Sequence, residues 1–377
     1  MRLVSPVEYL ASLLVELHLT DKSEYSARDY ASLVLFAAKS KDYVETVTKV
    51  MKGLPNVDTL FLNLKPNNTL GDLEDALKAF VTPLVNPLGS KLPHRKFTIA
   101  MDITYQPYYG KKPNAWIHSY KPVKGATGCY KFLVMSIVSY SRRFILAALP
   151  IPVISRPMAW YAERLLDFVF PLLPIERVLM DRGFYDFKLM DRLHKRGLKY
   201  IILTPQKEEY EDVMERGDGV YPYSSTYSEG KTKARISFNF AVVRDYQGYD
   251  WLFSTNIQLE DVKGYVHIYK CRWGIETAFR VQDEVEIKSK SKDMRVRYFL
   301  FLFEALVYDL WQYFKNGVSM PPYFSFSAFV LSIQLMLLIE VLMDAVLEAL
   351  KLEVDDRERA ILAVADSLCV PRGLVTC

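Results

Sequence analysis

The sequence predicts an α/β protein, a mixed sheet flanked by helices, with an N-terminal helical domain before it and a β-rich insertion within it. Three observations carry this. Apolar residues recur at helical spacing before residue 92, alternate at strand spacing from Phe97 onward, and alternate again after a polar stretch over residues 206–233. Of 377 residues half are apolar and 24% charged, with 16 Gly and 19 Pro, which excludes a disordered or collagen-like chain.

The elements follow in order. Ser26 with Asp29 forms an acidic variant of the capping box and opens a helix to about Ala38. Tyr43, Val44, Val47, Val50 and Met51 form a second apolar stripe that Gly53 and Pro55 end. Two helices joined by a short turn fit either a helix-turn-helix or a plain helical hairpin, and no basic recognition face marks the first. A helix over residues 70–81 precedes Pro83, Pro87, Gly89 and Pro93, which read as a linker with a domain boundary near Leu92.

Phe97, Ile99 and Met101 then alternate with polar or small residues in a strand that ends on Asp102. Residues 131–140 and 144–149 suit a hairpin, and Pro157 opens a helix to about Phe170. A strand over residues 177–180 ends on Asp181. A helix over 185–196 is stopped by Gly197, and a strand over 199–203 follows. Residues 205–265 form the insertion, where Ile236, Phe238, Phe240 and Val242 alternate. Helical character returns over 266–285. Residues 298–314 are apolar almost all round, and the run 323–343 reads as a buried helix rather than a membrane span because Gln334 and Glu340 interrupt it. The expected domains are residues 1–92, the main sheet over 93–204 and 266–315 around the insertion, and a C-terminal helical region over 316–377.

Charge is informative in its distribution. The net charge is only +4, but residues 100–150 hold seven basic residues against one acid, Asp102, whereas residues 1–95 hold eleven of each sign. A basic field therefore surrounds one carboxylate. Cys129, Cys271, Cys369 and Cys377 lie far apart, so neither a disulfide framework nor a zinc site is indicated. Arg2 and the interruptions at Glu8 and Glu16 argue against a secretory signal, and a cytoplasmic, nucleoid-associated location is expected.

No phosphate loop, nucleophile elbow, zinc-protease helix or dinucleotide fingerprint is present, which leaves carboxylates to carry chemistry. Asp102 and Asp181 follow strands of one predicted sheet. Glu276 lies on a helical face with Tyr269, Arg272 and Arg280, three and four residues apart. Cations framing a carboxylate suit phosphate chemistry; a solvated salt-bridged face is the plainer alternative.

These residues resemble the DDE transposases of bacterial and archaeal insertion sequences, in the group with a Tyr-x2-Arg-x3-Glu-x6-Lys signature. The resemblance rests on Ile-Ala-Met-Asp-Ile-Thr at 99–104, Val-Leu-Met-Asp-Arg-Gly-Phe at 178–184 and the segment 269–280, with gaps of 79 and 95 residues between the acids. It implies a ribonuclease-H-like catalytic domain in which Asp102, Asp181 and Glu276 hold Mg²⁺, with Mn²⁺ able to substitute. It also implies a partner, DNA, in the form of element ends and target, and a homodimer in the DNA complex, assembled through residues 321–350.

Cleavage would free a 3′ hydroxyl that then attacks target DNA, in a site suited to two-metal-ion phosphoryl transfer. Tyr269 and Arg272 would bond the phosphate beside the cut, and Trp251 would stack on a displaced base. Lys111, Lys112, Lys121, Lys124, Arg142, Arg143, Lys288 and Lys290, with Arg280, are the expected contacts to the DNA backbone. One departure is clear. The signature's Lys falls on Asp283, leaving Arg280 or Lys288 as replacements. A regulator that binds DNA without cutting it, and a nuclease of the same fold, remain the alternatives.

Overall fold

Capping residues and apolar stripes coincide at the first helices, and local chemistry accounts for where they begin. The computed structural model describes residues 5–21, 23–40, 43–50, 55–91, 96–111, 113–139, 142–230, 232–317, 324–350 and 361. Ser5 caps α1 (Pro6–Glu16). Ser26 caps α2 (Ala27–Ala37), with both hydrogen bonds of the capping box made to Asp29. α3 (Val44–Val50) and α4 (Val57–Asn67), the latter capped by Asn56, precede α5 (Leu70–Lys91).

α5 corrects the expected linker. Pro83, Pro87 and Gly89 lie inside it, and the buried Leu84, Val85 and Leu88 supply apolar burial that offsets the cost of about 3 kcal/mol for an interior proline.

The chain divides into two units, residues Met1–Leu84 with Arg280–Cys377, and residues Val85–Phe279. The second unit carries the sheet. Its elements are β1 (Phe97–Tyr108), β2 (Gly128–Ile137), β3 (Ile145–Ile151), α6 (Met158–Val169), β4 (Ile175–Met180), α7 (Phe187–Lys195) and β5 (Lys199–Leu203). After these come α8 (Glu211–Glu215), β6 (Gly219–Glu229), β7 (Thr232–Tyr246), β8 (Tyr249–Thr255) and α9 (Lys263–Lys270). The last helix, α10 (Trp273–Gln282), runs on past the unit's final residue.

The eight-stranded sheet has the order β3-β2-β1-β4-β5-β8-β7-β6. β1 pairs antiparallel with β2 and parallel with β4, and β4 is parallel to β5, a mixed α/β sheet consistent with the ribonuclease-H-like expectation. Strands buried on both faces explain the near-continuous apolar runs: every residue of β3, and all of β2 but Lys131, is buried. The segment after β5 does not stand apart from the sheet, because β8 pairs antiparallel with β5 and extends the same layer through β7 and β6.

Two further expectations change. β1 does not end on Asp102 but continues to Tyr108, because β2 offers paired backbone over the whole of that stretch. The helix expected over 266–285 breaks at Cys271 and Arg272. There, three successive tight bonds (Arg272 N–H to the Tyr269 carbonyl, Gly274 to Cys271, Ile275 to Arg272, 2.8–2.9 Å) restart it as α10.

The first unit also holds α11 (Met294–Gly317) and α12 (Phe326–Leu350). α11 is buried over residues 298–312, as its all-round apolarity predicts. α12 is not the fully buried helix expected. Its 326–343 window is long and apolar enough to cross a membrane, and 39% of it is buried. One face packs on α2, where the Gln334 amide donates to the carbonyls of Leu35 (2.7 Å) and Ala38 (2.9 Å). Leu331, Leu335, Leu338, Val341 and Leu342 are exposed. Arg28 ties α1 to α12 through ion pairs with Glu8 and Glu340.

Candidate active site

Parallel pairing brings the first two acids together. Met101 of β1 stands opposite Met180 of β4, so Asp102 and Asp181, one residue further on, lie side by side where the β4 pairing stops. Each carboxylate is fixed by a local amide: Asp102 Oδ1 accepts from Ile103 N–H at 2.8 Å, and Asp181 Oδ1 from Gly183 N–H at 2.9 Å. At Gly183 a Cβ would stand 3.1 Å from Asp181 Oδ1, a tight contact that would shift the carboxylate by a few tenths of an ångström.

Glu276, on the first turns of α10, joins them through a shared cation. Arg272 donates from Nη1 to Asp102 Oδ2 at 2.6 Å and from Nη2 to Glu276 Oε1 at 2.5 Å. The guanidinium is a planar fork suited to holding two carboxylates at once. Burial pushes the Asp102 carboxyl up to about 6 against the pull of Arg272 and the Ile103 amide, and the charges of Asp181 and Glu276 push the same way as burial.

Tyr269, at the end of α9, is buried against Phe253 and Trp251, with the Arg272 guanidinium 5.5 Å from its ring centroid. Burial pushes its hydroxyl up to about 12 against the pull of Arg272, with the charges of Asp181 and Asp102 acting in the same direction as burial. The Tyr269 hydroxyl and Arg272 Nε are both buried without a partner in hydrogen-bond geometry. The two groups lie against each other beside Asp102 and Asp181.

Three carboxylates are the hard oxygen ligands that Mg²⁺ takes, and one cation already sits within reach of Asp102 and Glu276. Among the described residues no three acids stand at metal-ligand spacing, and the guanidinium bridges two of them. The residues fit the metal in chemistry, with Arg272 in the position a cation would share.

The other expected residues fall in different places. Arg143 lies beside α10, its Nε 3.5 Å from where a Cβ on Gly274 would stand, and Arg142 is half-buried in the same turn. Lys111 is exposed, and Lys112 lies outside the described residues. Trp251 is buried, stacked on Phe253 and donating from its ring N–H to the Tyr246 carbonyl at 3.0 Å, so here it packs the sheet. Its aromatic character gave no sign of which way it faces.

Arg280, Lys288 and Lys290 belong to the other unit, where Arg280 is exposed and Lys290 lies 5.2 Å from the Tyr43 ring centroid. Asp283, in that unit as well, is pushed up to about 6 by desolvation and by Glu286. The clasp between Arg272 and Asp102 was not expected. Its one local sign was the four-residue spacing to Glu276.

With Asp181 and Glu276 placed beside Asp102, the comparison with known families becomes meaningful. Residues 159–303 match the family described as Transposase DDE domain. The matched segment contains Asp181 and Glu276 and begins after Asp102. Among solved structures, the chain is similar to the piggyBac transposase in a synaptic complex with hairpin DNA, solved by cryo-EM. That likeness has a TM-score of 0.51 at 12% identity and covers 87% of this chain and 76% of the other, which shows the fold. No curated protein matches the chain.

Proposed function

We propose that the chain is a DDE transposase that cuts DNA at the ends of a mobile element and joins the freed 3′ hydroxyl ends to target DNA. The observation that carries this reading is that Asp102 lies beside Asp181 at the ends of paired strands and is joined to Glu276 through Arg272, with Asp181 and Glu276 inside the segment that resembles a transposase domain.

In this reading Asp102, Asp181 and Glu276 hold divalent metal ions, Mg²⁺ first among them. When bound, such ions supply activation of the attacking oxygen and charge stabilisation at the leaving oxygen. The chain's own groups do the rest. The carboxylates fix the geometry from two strands and a helix. Arg272 and the Tyr269 hydroxyl bind the non-bridging oxygens of the phosphate beside the cut, the guanidinium turning from its carboxylates once these hold metal ions. Arg142, Arg143 and Lys111 neutralise flanking phosphates, so binding weakens steeply with salt. Water attacks the phosphodiester, leaving a 5′ phosphate and a 3′ hydroxyl, and that hydroxyl then attacks a target phosphodiester, forming a new 3′–5′ phosphodiester as the target's own bond to its 3′ oxygen breaks and releases a target 3′ hydroxyl. Two ends must be held together for joining, so the working form is at least a dimer on DNA.

The test is a strand-transfer assay with purified protein, Mg²⁺ or Mn²⁺, labelled DNA flanking its own gene and a plasmid target, beside Asp181→Asn. Metal-dependent joined product that vanishes in the variant is the expected result. A second reading, a regulator that binds ends without cutting, draws on Asp283 at the signature's Lys position. End binding with neither cut nor joined product in either metal would favour it.

A further inference from the structure

β1 outlasts the sheet around it. Its pairing with β4 ends at Met101 and Met180, whereas its pairing with β2 continues to Tyr108 and Gly128. From Asp102 onward the two strands form a ribbon that runs beyond the carboxylates. Tyr105 lies three residues past Asp102, about 10 Å along the strand at the usual rise. The charges of Asp102 and Asp181 reach its hydroxyl.

Directly opposite Tyr105 on the ribbon is Lys131, whose Nζ lies 5.7 Å from the Tyr105 ring centroid. Tyr120, from the loop between the strands, meets the same ring at 5.0 Å between centroids with a 50° tilt. Both are partly open to solvent: Tyr105 is 37% exposed and Tyr120 54%. Lys121 follows Tyr120 directly, and Lys111 and Lys124 are exposed in the same loop. Single exposed tyrosines are ordinary. Here two touch each other, one with Lys131 against its ring and the other followed by Lys121, where a ribbon leads away from Asp102.

Aromatic faces interleaved with cations are the chemistry that binds single-stranded nucleic acid, because the rings stack on bases while the ammonium groups meet phosphates. A duplex offers its phosphates but keeps its base faces stacked within, so it meets only half of such a surface.

We infer that Tyr105 and Tyr120, with Lys131 and Lys121, form a stacking platform for unpaired bases of the DNA strand that enters or leaves the cut. This deepens the proposed DNA-cutting reading and rests on it. The platform makes the enzyme prefer substrate already opened next to the scissile phosphate.

The experiment titrates the full chain, in EDTA so that nothing is cut, into a fluorescein-labelled oligothymidylate and a blunt duplex of equal length, reading anisotropy. Wild type should bind both. Tyr105→Ala with Tyr120→Ala should weaken single-strand binding by roughly tenfold or more while duplex binding stays within about twofold, and the paired Phe variants should bind as wild type does. Tyr120→Ala alone, at the more exposed ring, should give a partial loss and serves if the double variant does not fold. Unchanged single-strand affinity in the alanine variants overturns the inference, as does an equal loss for both DNA forms. In either case duplex binding by wild type leaves the DNA-cutting reading standing. Wild type that binds neither DNA overturns both.

Discussion

At the scale of single residues, the decisive feature is one guanidinium shared by two acids that lie far apart in sequence. Removing one partner of a buried ion pair leaves the other charge without compensation, which typically costs about 3–5 kcal/mol. Arg272→Ala is therefore expected to lower unfolding free energy in EDTA by about that much, read by denaturant titration. Adding Asp102→Asn to that variant should recover most of the loss, because the stranded carboxylate is gone; a double variant no more stable than Arg272→Ala would reject the clasp. Lys cannot replace Arg here, having a single charged centre where the fork spans two carboxylates. The three acids were legible because each ends or follows a recognisable local pattern. The Arg272 to Asp102 bond was not, since its partners are 170 residues apart and no local periodicity encodes such a pairing.

Elements show where sequence patterns mislead. Prolines at 83 and 87 signalled a linker because their backbone cost is local and visible, whereas the burial of Leu84, Val85 and Leu88 that offsets it depends on partners elsewhere. β1 was cut short at Asp102 because Thr104, Gln106 and Pro107 weaken the apolar alternation, although pairing with β2 carries the strand on. α11 was legible as a buried helix, yet it encloses a carboxyl. Glu304 is fully buried, accepting from Ile287 N–H at 2.6 Å and from the Gln282 amide, and burial holds its carboxyl well above the usual range, with Glu286 and Asp283 adding to the effect. A carboxyl whose folded value is raised takes up a proton on folding. Its penalty is absent below the unfolded value of about 4.3 and grows as pH rises toward the folded one. Glu304→Gln should thus stabilise the protein at pH 8 and leave it nearly unchanged at pH 4. Thermal unfolding at the two values checks this, and equal effects at both would contradict it.

For the whole molecule, the exposed Leu335, Leu338 and Leu342 on α12 form an apolar stripe that needs a partner surface. If copies pair there when DNA ends are brought together, light scattering of the DNA-bound protein should give a dimer. Leu335→Glu with Leu342→Glu should then give a monomer that still binds a single end. A native chain that holds two ends as a monomer would exclude the pairing. The sequence marked this segment as apolar. Its half-exposed state was hidden, because mean hydropathy does not distinguish a core helix from one awaiting an interface.

The division into units also bears on how the protein is made. Residues 85–279, with the sheet and all three acids, are continuous, whereas the other unit is closed only when α11 joins helices translated long before. Synthesis from the N-terminus therefore completes the sheet and its three carboxylates while the helices of residues 5–84 still wait for their core. A nascent chain leaving the ribosome would carry its carboxylates already in register, with the apolar faces of α1 and α2 still open to chaperones.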